Sequence, residues 1–450
     1  MYALLARWRI ALKAMAHRVV FFGRRPFVRS VMNVSSGTAV AQAISAAFSP
    51  LVTRLYGPEA YGTLSVFMSI AGVASTIAAM TYPIAIVLPK SDADALGLIR
   101  LSICTAIVTS LLVALTLVLF GSEFLAFLNV GPISTFVYLI PIFMLSTVVS
   151  AVAGQWLTRK RAFALVGKIA AWQALLISAI RVGLGFLNPT VAMLVITNTF
   201  SGFLGAVLMG IGWRRSRTSN RSEPAIVARG PKTWQLATQY RDFPILRTPQ
   251  VFVNALTNSL PVVMLTMFFG ASAVGFYSIA CAVLTVPSAL IGNSVMQVFY
   301  PRITEAIRRG EDGRALIIKA TAGMALIGAL PFGVVAVAGP MLFALVFGAE
   351  WRMAGTYAQW LSIWLFFQQI NWPAVSAIPA LRLQGGLLIY ELTSSVGKAM
   401  ALYIGYSVFK SDTVAIALFS VFGIISYAGL ILWVIQRSGS ARLTFTQERH

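Results

Sequence analysis

Residues 213 to 224 read WRRSRTSNRSEP, and this basic, apolar-poor stretch opens the longest polar gap in the chain, about residues 213 to 247. Outward from it on both sides run apolar stretches of the length, about 20 residues, that crosses a hydrocarbon core. Before the gap they fall at roughly 31 to 53, 63 to 88, 101 to 120, 133 to 157, 169 to 186 and 191 to 212. After it they fall at roughly 248 to 270, 274 to 299, 320 to 338, 355 to 378, 387 to 408 and 413 to 435. The pattern predicts an all-α polytopic membrane protein, with about 12 transmembrane helices in two six-helix lobes. The lobes are residues 31–212 and 248–436, joined by a basic linker, 213–247, and flanked by tails at 1–30 and 437–450. Composition agrees: 58% of residues are hydrophobic and 11% charged, whereas soluble domains carry about 25% charged residues.

Charge orients the bundle. Thirty of the 35 Lys and Arg residues lie in the two tails and in alternate gaps, leaving Arg54, Arg352 and Lys410 on the other side and Arg181 and Lys398 inside spans. By the positive-inside rule the basic side, with both termini, is cytoplasmic. The net charge of +22 then needs no nucleic-acid partner, since anionic lipids at the cytoplasmic face account for the stripes. In the first thirty residues, Arg7, Arg9, Lys13 and Arg18 interrupt any signal-peptide core. Leu4, Trp8, Leu12, Met15 and Val19 share one arc of a helix, the pattern of an amphipathic surface helix.

The two halves carry matching features. Thr38, Gln42, Ser45, Ser49 and Thr53 form a polar stripe on the first span, and Gln250, Asn254, Thr257, Asn258 and Pro261 form one on the seventh. At an offset of 212, Thr38, Gln42 and Ser45 superpose on Gln250, Asn254 and Thr257; at 213, Gly57, Ala60 and Gly62 superpose on Gly270, Ala273 and Gly275. Six spans per half give both repeats the same orientation, related by an axis along the membrane normal. Two leading helices with inward polar faces predict a hydrophilic cleft between lobes, the architecture of alternating access.

Within the spans, Arg181, Lys398 and Glu391 are the charged side chains, each costing roughly 2.5 to 3.5 kcal/mol at a helix centre. Arg181 shares a small or polar face with Ala170, Ala174, Ser178 and Gly185; Lys398 shares one with Glu391, Ser394 and Ser395. Such faces turn toward protein or water, although Arg181 is near enough to its helix end to snorkel. Spans one, two, seven and eight hold no carboxylate, so the expected cleft is net positive and suits an anion. Pro83, Pro141, Pro287 and Pro373 fall inside the expected spans and predict kinks. Gln368, Gln369 and Asn371 ahead of Pro373 make the tenth span the expected broken helix.

Catalytic and metal chemistry find little support. Cys104 and Cys281 both sit in spans as packing residues, and His occurs only at His17 and His450. No metal cluster, disulfide framework or cofactor is expected, and no HExxH, CxxC, Walker A or GxSxG pattern occurs. The short external gaps leave no room for an extramembrane catalytic domain.

Three segments resemble the Wzx-type polysaccharide flippases of the multidrug/oligosaccharidyl-lipid/polysaccharide exporter superfamily. They are SPLVTRLYGPEAYG (Ser49 to Gly62), IAIVLPKSDADA (Ile84 to Ala95), and the long stretch from Pro249 to Ala306 that opens PQVFVNALTNSLP. The likeness runs from about residue 30 to 436. It implies a two-lobed carrier in a bacterial inner membrane that moves undecaprenyl-diphosphate-linked oligosaccharide from the cytoplasmic to the periplasmic leaflet, alongside polysaccharide assembly proteins. By residue, it extends to Arg54 and to the polar first and seventh spans; Ala282 stands where similar members carry a base. On this view Arg181, Lys398 and Arg54 hold the diphosphate, and Thr38, Gln42, Ser45, Asn254 and Thr257 bind the glycan. Glu391 is the carboxylate available for coupling to a proton or sodium gradient. The alternatives are a cation or drug antiporter of the same superfamily and a membrane-embedded polymerase or glycosyltransferase.

Overall fold

The computed structural model describes residues 26–128, 135–218, 233–309, 311–381 and 383–447, and no strand occurs among them. In chain order the helices are α1 Pro26–Ala78, α2 Tyr82–Ala85, α3 Asp92–Leu128, α4 Ile140–Arg159, α5 Phe163–Leu187, α6 Val191–Thr218 and α7 Thr233–Gln239. They continue with α8 Thr248–Phe269, α9 Ala271–Arg308, α10 Gly313–Phe347, α11 Arg352–Ile370, α12 Trp372–Ala377, α13 Gln384–Ser407 and α14 Asp412–Gln447.

Among the described residues, eight helical stretches are long and apolar enough to cross a membrane. That is fewer than the twelve apolar runs for local reasons. The first two runs both lie in α1, which counts as one stretch although it is two helices meeting at Gly57, whose φ of 71° and ψ of 173° leave the helical region. Glycine alone adopts that backbone without strain, and Pro58 then starts the second leg where its missing N–H costs nothing. Helix α9 is apolar over Ala271–Thr285, and of the side chains just beyond, those of residues 286, 287 and 289–298 lie outside the described residues. Polar residues dilute α11 and α13, among them Gln359, Gln368, Gln369, Glu391 and Lys398.

Other boundaries shift as well. Helices extend past the apolar runs, α3 to Asp92–Leu128 against an expected 101 to 120. Helix α6 continues through Trp213–Thr218, so the start of the polar gap is helical rather than loop. Residues 1–25, most of the expected amphipathic tail, lie outside the described residues. The second expected span breaks just ahead of Pro83, with α1 ending at Ala78 and α2 starting at Tyr82, whereas Pro141 stands in the first turn of α4 and kinks nothing. The expected break before Pro373 is present, with α11 ending at Ile370 and α12 starting at Trp372.

Helices α1 and α3 to α6 pack on one another, as do α8 to α14, and the two groups meet mainly where α1 crosses α9 and α8. Small residues allow the close crossings, as expected where lipid supplies no hydrophobic drive between helices. A Cβ on Gly37 would overlap the backbone of Gly167 between α1 and α5, and Gly339 and Gly355 stand in the same relation between α10 and α11. Outside the bundle, Leu236 of α7 is fully buried against Gly97 of α3, so part of the polar gap docks back on the first half.

Candidate functional site between the two halves

Three glycines with positive φ, Gly57, Gly270 and Gly348, occupy chain reversals at one end of the bundle, called here the glycine end. Gly57 and Gly270, paired by the offset of 213, share one conformation: φ 71° and ψ 173° against φ 83° and ψ −179°. The next matched glycines face each other. A Cβ on Gly62 would overlap the Ala271 carbonyl, and one on Gly275 would overlap the Pro58 carbonyl. Adding 213 to Gly62 and Pro58 gives Gly275 and Ala271, so the contact is reciprocal, as at a two-fold interface.

Side chains tighten this joint. The Arg54 Nη2 donates to the Leu345 carbonyl at 2.8 Å, in the last turn of α10, where carbonyls lack intrahelical partners and a cation is favoured. The buried Trp351 donates from Nε1 to the Thr53 carbonyl at 3.2 Å. Its ring meets Tyr61 edge-on at 5.6 Å and Phe276 at 6.1 Å. Arg54 therefore ties the halves together at the glycine end.

Within the second half, α8, α9, α11, α13 and α14 enclose a cavity of about 150 Å³ lined by Thr257, Asn258, Tyr277, Trp364, Gln368, Ser395, Lys398, Phe419 and Tyr427, with apolar residues between them. The Lys398 Nζ lies 5.1 Å from the Trp364 ring centre, 5.1 Å from that of Tyr427 and 6.0 Å from that of Phe419. Among the described residues no carboxylate lies within ion-pair distance of it. At about 30 Å³ per water, the space admits a group the size of a phosphate.

In the first half, the Arg181 Nη2 donates to the Asn198 Oδ1 at 2.8 Å, and the Asn198 amide is held by the Leu194 carbonyl at 2.9 Å. The Arg181 Nε is buried without a partner, and its backbone carbonyl accepts the Tyr56 hydroxyl at 2.8 Å. The guanidinium thus turns into the protein instead of snorkelling, and again no carboxylate pairs with it among the described residues.

The remaining expected residues divide. Thr257 joins Lys398 at the cavity. Asn254 is exposed one turn below, accepting from the Asn258 Nδ2 at 3.0 Å. On α1, Thr38 and Ser45 are exposed and Gln42 is half-buried with its Oε1 unpartnered, whereas Thr53 is buried and bonds back to the Ser49 and Pro50 carbonyls. Glu391, expected on the Lys398 face, is exposed and absent from the cavity lining. Sequence reasoning missed Trp364, Phe419, Tyr427, Asn198 and Trp351. Nothing marks those aromatics in an apolar background, and a lone Asn in a span is the one signal that would have led to Asn198.

The family model for polysaccharide biosynthesis proteins matches residues 51–355. The succinoglycan biosynthesis transport protein ExoT of Rhizobium meliloti (strain 1021) is 28% identical over 102 residues, covering 22% of this chain and 20% of that protein. An inward-facing multidrug resistance MATE family transporter of the MOP superfamily superposes with a TM-score of 0.60 at 12% identity, over 93% of this chain and 96% of that one. The Vibrio cholerae MATE transporter VcmN does so at 0.51 and 16% identity, over 91% and 95%. A MOP superfamily transporter from Pyrococcus furiosus, whose binding pocket is described as reversed in polarity, gives 0.51 at 13% identity, over 92% and 96%. The chain belongs to the polysaccharide biosynthesis protein family and is a multi-pass membrane protein with a MATE-like fold.

Proposed function

We propose that the protein is a flippase that carries undecaprenyl-diphosphate-linked oligosaccharide from the cytoplasmic to the periplasmic leaflet of a bacterial inner membrane. The observation that carries this reading is a pair of membrane-embedded cations, Arg181 in one half and Lys398 in the other, without carboxylate partners among the described residues. Each costs roughly 2.5 to 3.5 kcal/mol to insert, an expense that a structural role would reduce with an acid. Left uncompensated, they attract an anion instead. Family membership supports a polysaccharide precursor as the cargo.

On this reading the chain crosses the membrane twelve times as two six-helix lobes, residues 31–212 and 248–436, related as parallel repeats, with both termini cytoplasmic and the glycine end periplasmic. The reciprocal contact of Gly62 with Ala271 and Gly275 with Pro58 supports the repeat. The diphosphate sits against Lys398 and Arg181, the glycan lies along the Thr38, Gln42, Ser45, Asn254 and Thr257 faces, and the polyprenyl tail remains in lipid. Anionic lipids coat the basic end, polysaccharide assembly proteins act alongside, no bond is made or broken, and a proton or sodium gradient supplies the drive.

Deletion in the source bacterium tests this. Surface polysaccharide should be lost or altered while fully assembled lipid-linked repeat units accumulate on the cytoplasmic leaflet. Truncated glycans would point to an enzyme, and unchanged polysaccharide with new sensitivity to cationic drugs would point to an antiporter.

A further inference from the structure

Lys398 poses a problem of its own. A lysine within a membrane bundle needs something to stabilise its charge, and the usual partner, a carboxylate, would cancel the field that an anionic substrate is to feel. The surroundings of its Nζ resolve the conflict. Three rings from two helices face it: Trp364 of α11 at 5.1 Å, and Phe419 and Tyr427 of α14 at 6.0 and 5.1 Å. An aromatic face attracts a cation through its quadrupole, and the attraction grows once water is excluded. The ring has no net charge, so the attraction leaves the positive charge whole.

The rings are held in place. The Gln368 Nε2 donates to the Tyr427 hydroxyl at 3.0 Å. Trp364 and Phe419 meet edge to face at 5.0 Å and 77°. A side chain on Gly423 would overlap the Trp364 indole, so α14 leaves the space that indole fills. On the open side of the ammonium, Thr257, Asn258 and Ser395 line the cavity with hydroxyl and amide donors.

We propose that Trp364, Phe419 and Tyr427 are positioning residues that stabilise the Lys398 ammonium without neutralising it, so that a phosphate group entering the cavity meets a full positive charge. This rests on Lys398 as a substrate contact, but the cage can be tested apart from transport. The purified full-length protein is prepared with tryptophan, monofluoro-, difluoro- or trifluorotryptophan at position 364; the shape is kept while the negative ring face weakens stepwise. Acylation of the Lys398 amine at fixed pH is read by mass spectrometry, with the exposed Lys319 as internal reference. Because acylation needs the uncharged amine, its rate should rise with each fluorine, roughly fivefold to thirtyfold across the series, the range of a desolvated cation–π contact. Trp364→Leu should reach the upper end and Trp364→Phe should fall between.

If acylation ignores fluorination yet changes in Trp364→Leu, the rings only pack and the cage is overturned. If acylation follows fluorination but Lys398→Ala still makes normal surface polysaccharide, the cage stands as a device for the charge, and the assignment of Lys398 to the substrate falls.

Discussion

Opening the glycine end should need only two side-chain changes, Arg54→Met and Trp351→Phe. The first removes the donor to the Leu345 carbonyl at 2.8 Å, and the second removes the donor to the Thr53 carbonyl at 3.2 Å while keeping a ring against Tyr61 and Phe276. A hydrogen bond from a charged group contributes about 1.5 to 3 kcal/mol and a neutral one about 1. Arg54 is exposed, so the lower figure applies, and together the two changes weaken the joint by about 2.5 kcal/mol. That is roughly a 70-fold shift toward states open at that end, at 1.36 kcal/mol per tenfold. The assay uses Thr257→Cys in a background lacking Cys104 and Cys281, with an impermeant thiol reagent applied from the side of the glycine end. Labelling should be slow with the joint intact and faster by one to two orders of magnitude in the double variant, with each single variant between. Equal rates in all four proteins would refute the joint as a closure, as would fast labelling before any substitution.

Two further outcomes follow from the buried cations and from the charge pattern. Arg181→Ala should reduce polysaccharide export at least tenfold at unchanged membrane abundance, with Arg181→Lys retaining more activity, since a diphosphate responds chiefly to charge though the guanidinium forks onto it better; complementation of a deletion strain reads both, and normal export by the Ala variant would remove Arg181 from the site. Single cysteines near Arg54, Ser122 or Arg352 should react from outside the cell and one near Lys160 should not, and the reverse labelling would invert the orientation.

Much of this arrangement was legible because membrane proteins write their topology in charge. The basic gaps and the apolar runs follow directly from the cost of burying Lys or Arg in lipid. The matched glycines were legible for another reason: Gly57 and Gly270 occupy a backbone region closed to other residues, so they stand out at a fixed offset. What stayed hidden was built from groups a sequence pattern does not mark. Arg54 could be picked out, but its acceptor is the backbone carbonyl of Leu345, 291 residues away, and every residue has such a carbonyl. Trp364, Phe419 and Tyr427 converge on Lys398 from two helices, and in an apolar sequence an aromatic that holds a cation reads the same as one that fills space. Glu391 shows the limit of the helical wheel. Two turns from Lys398 it points almost the same way, yet it is exposed where Lys398 is half-buried. A wheel gives direction around a helix and nothing about how cover changes along it.

The reciprocal glycine seam also bears on how the halves come apart. Gly62 against Ala271 and Gly275 against Pro58 are backbone meeting backbone, so parting them strands no side chain and tears no ion pair. Within the seam neither point is the weaker one, since each half offers the other the same pair. Such a seam behaves as a snap fastener: both points hold or both let go. Slippage along it is blocked, because a shift of one residue would drive a Cβ of Tyr61 or Thr63 toward the space that only glycine leaves free. The fold thus provides a closure that is binary by geometry, and the tunable part is left to side chains at its rim, Arg54 and Trp351, which can change without disturbing the fastener itself.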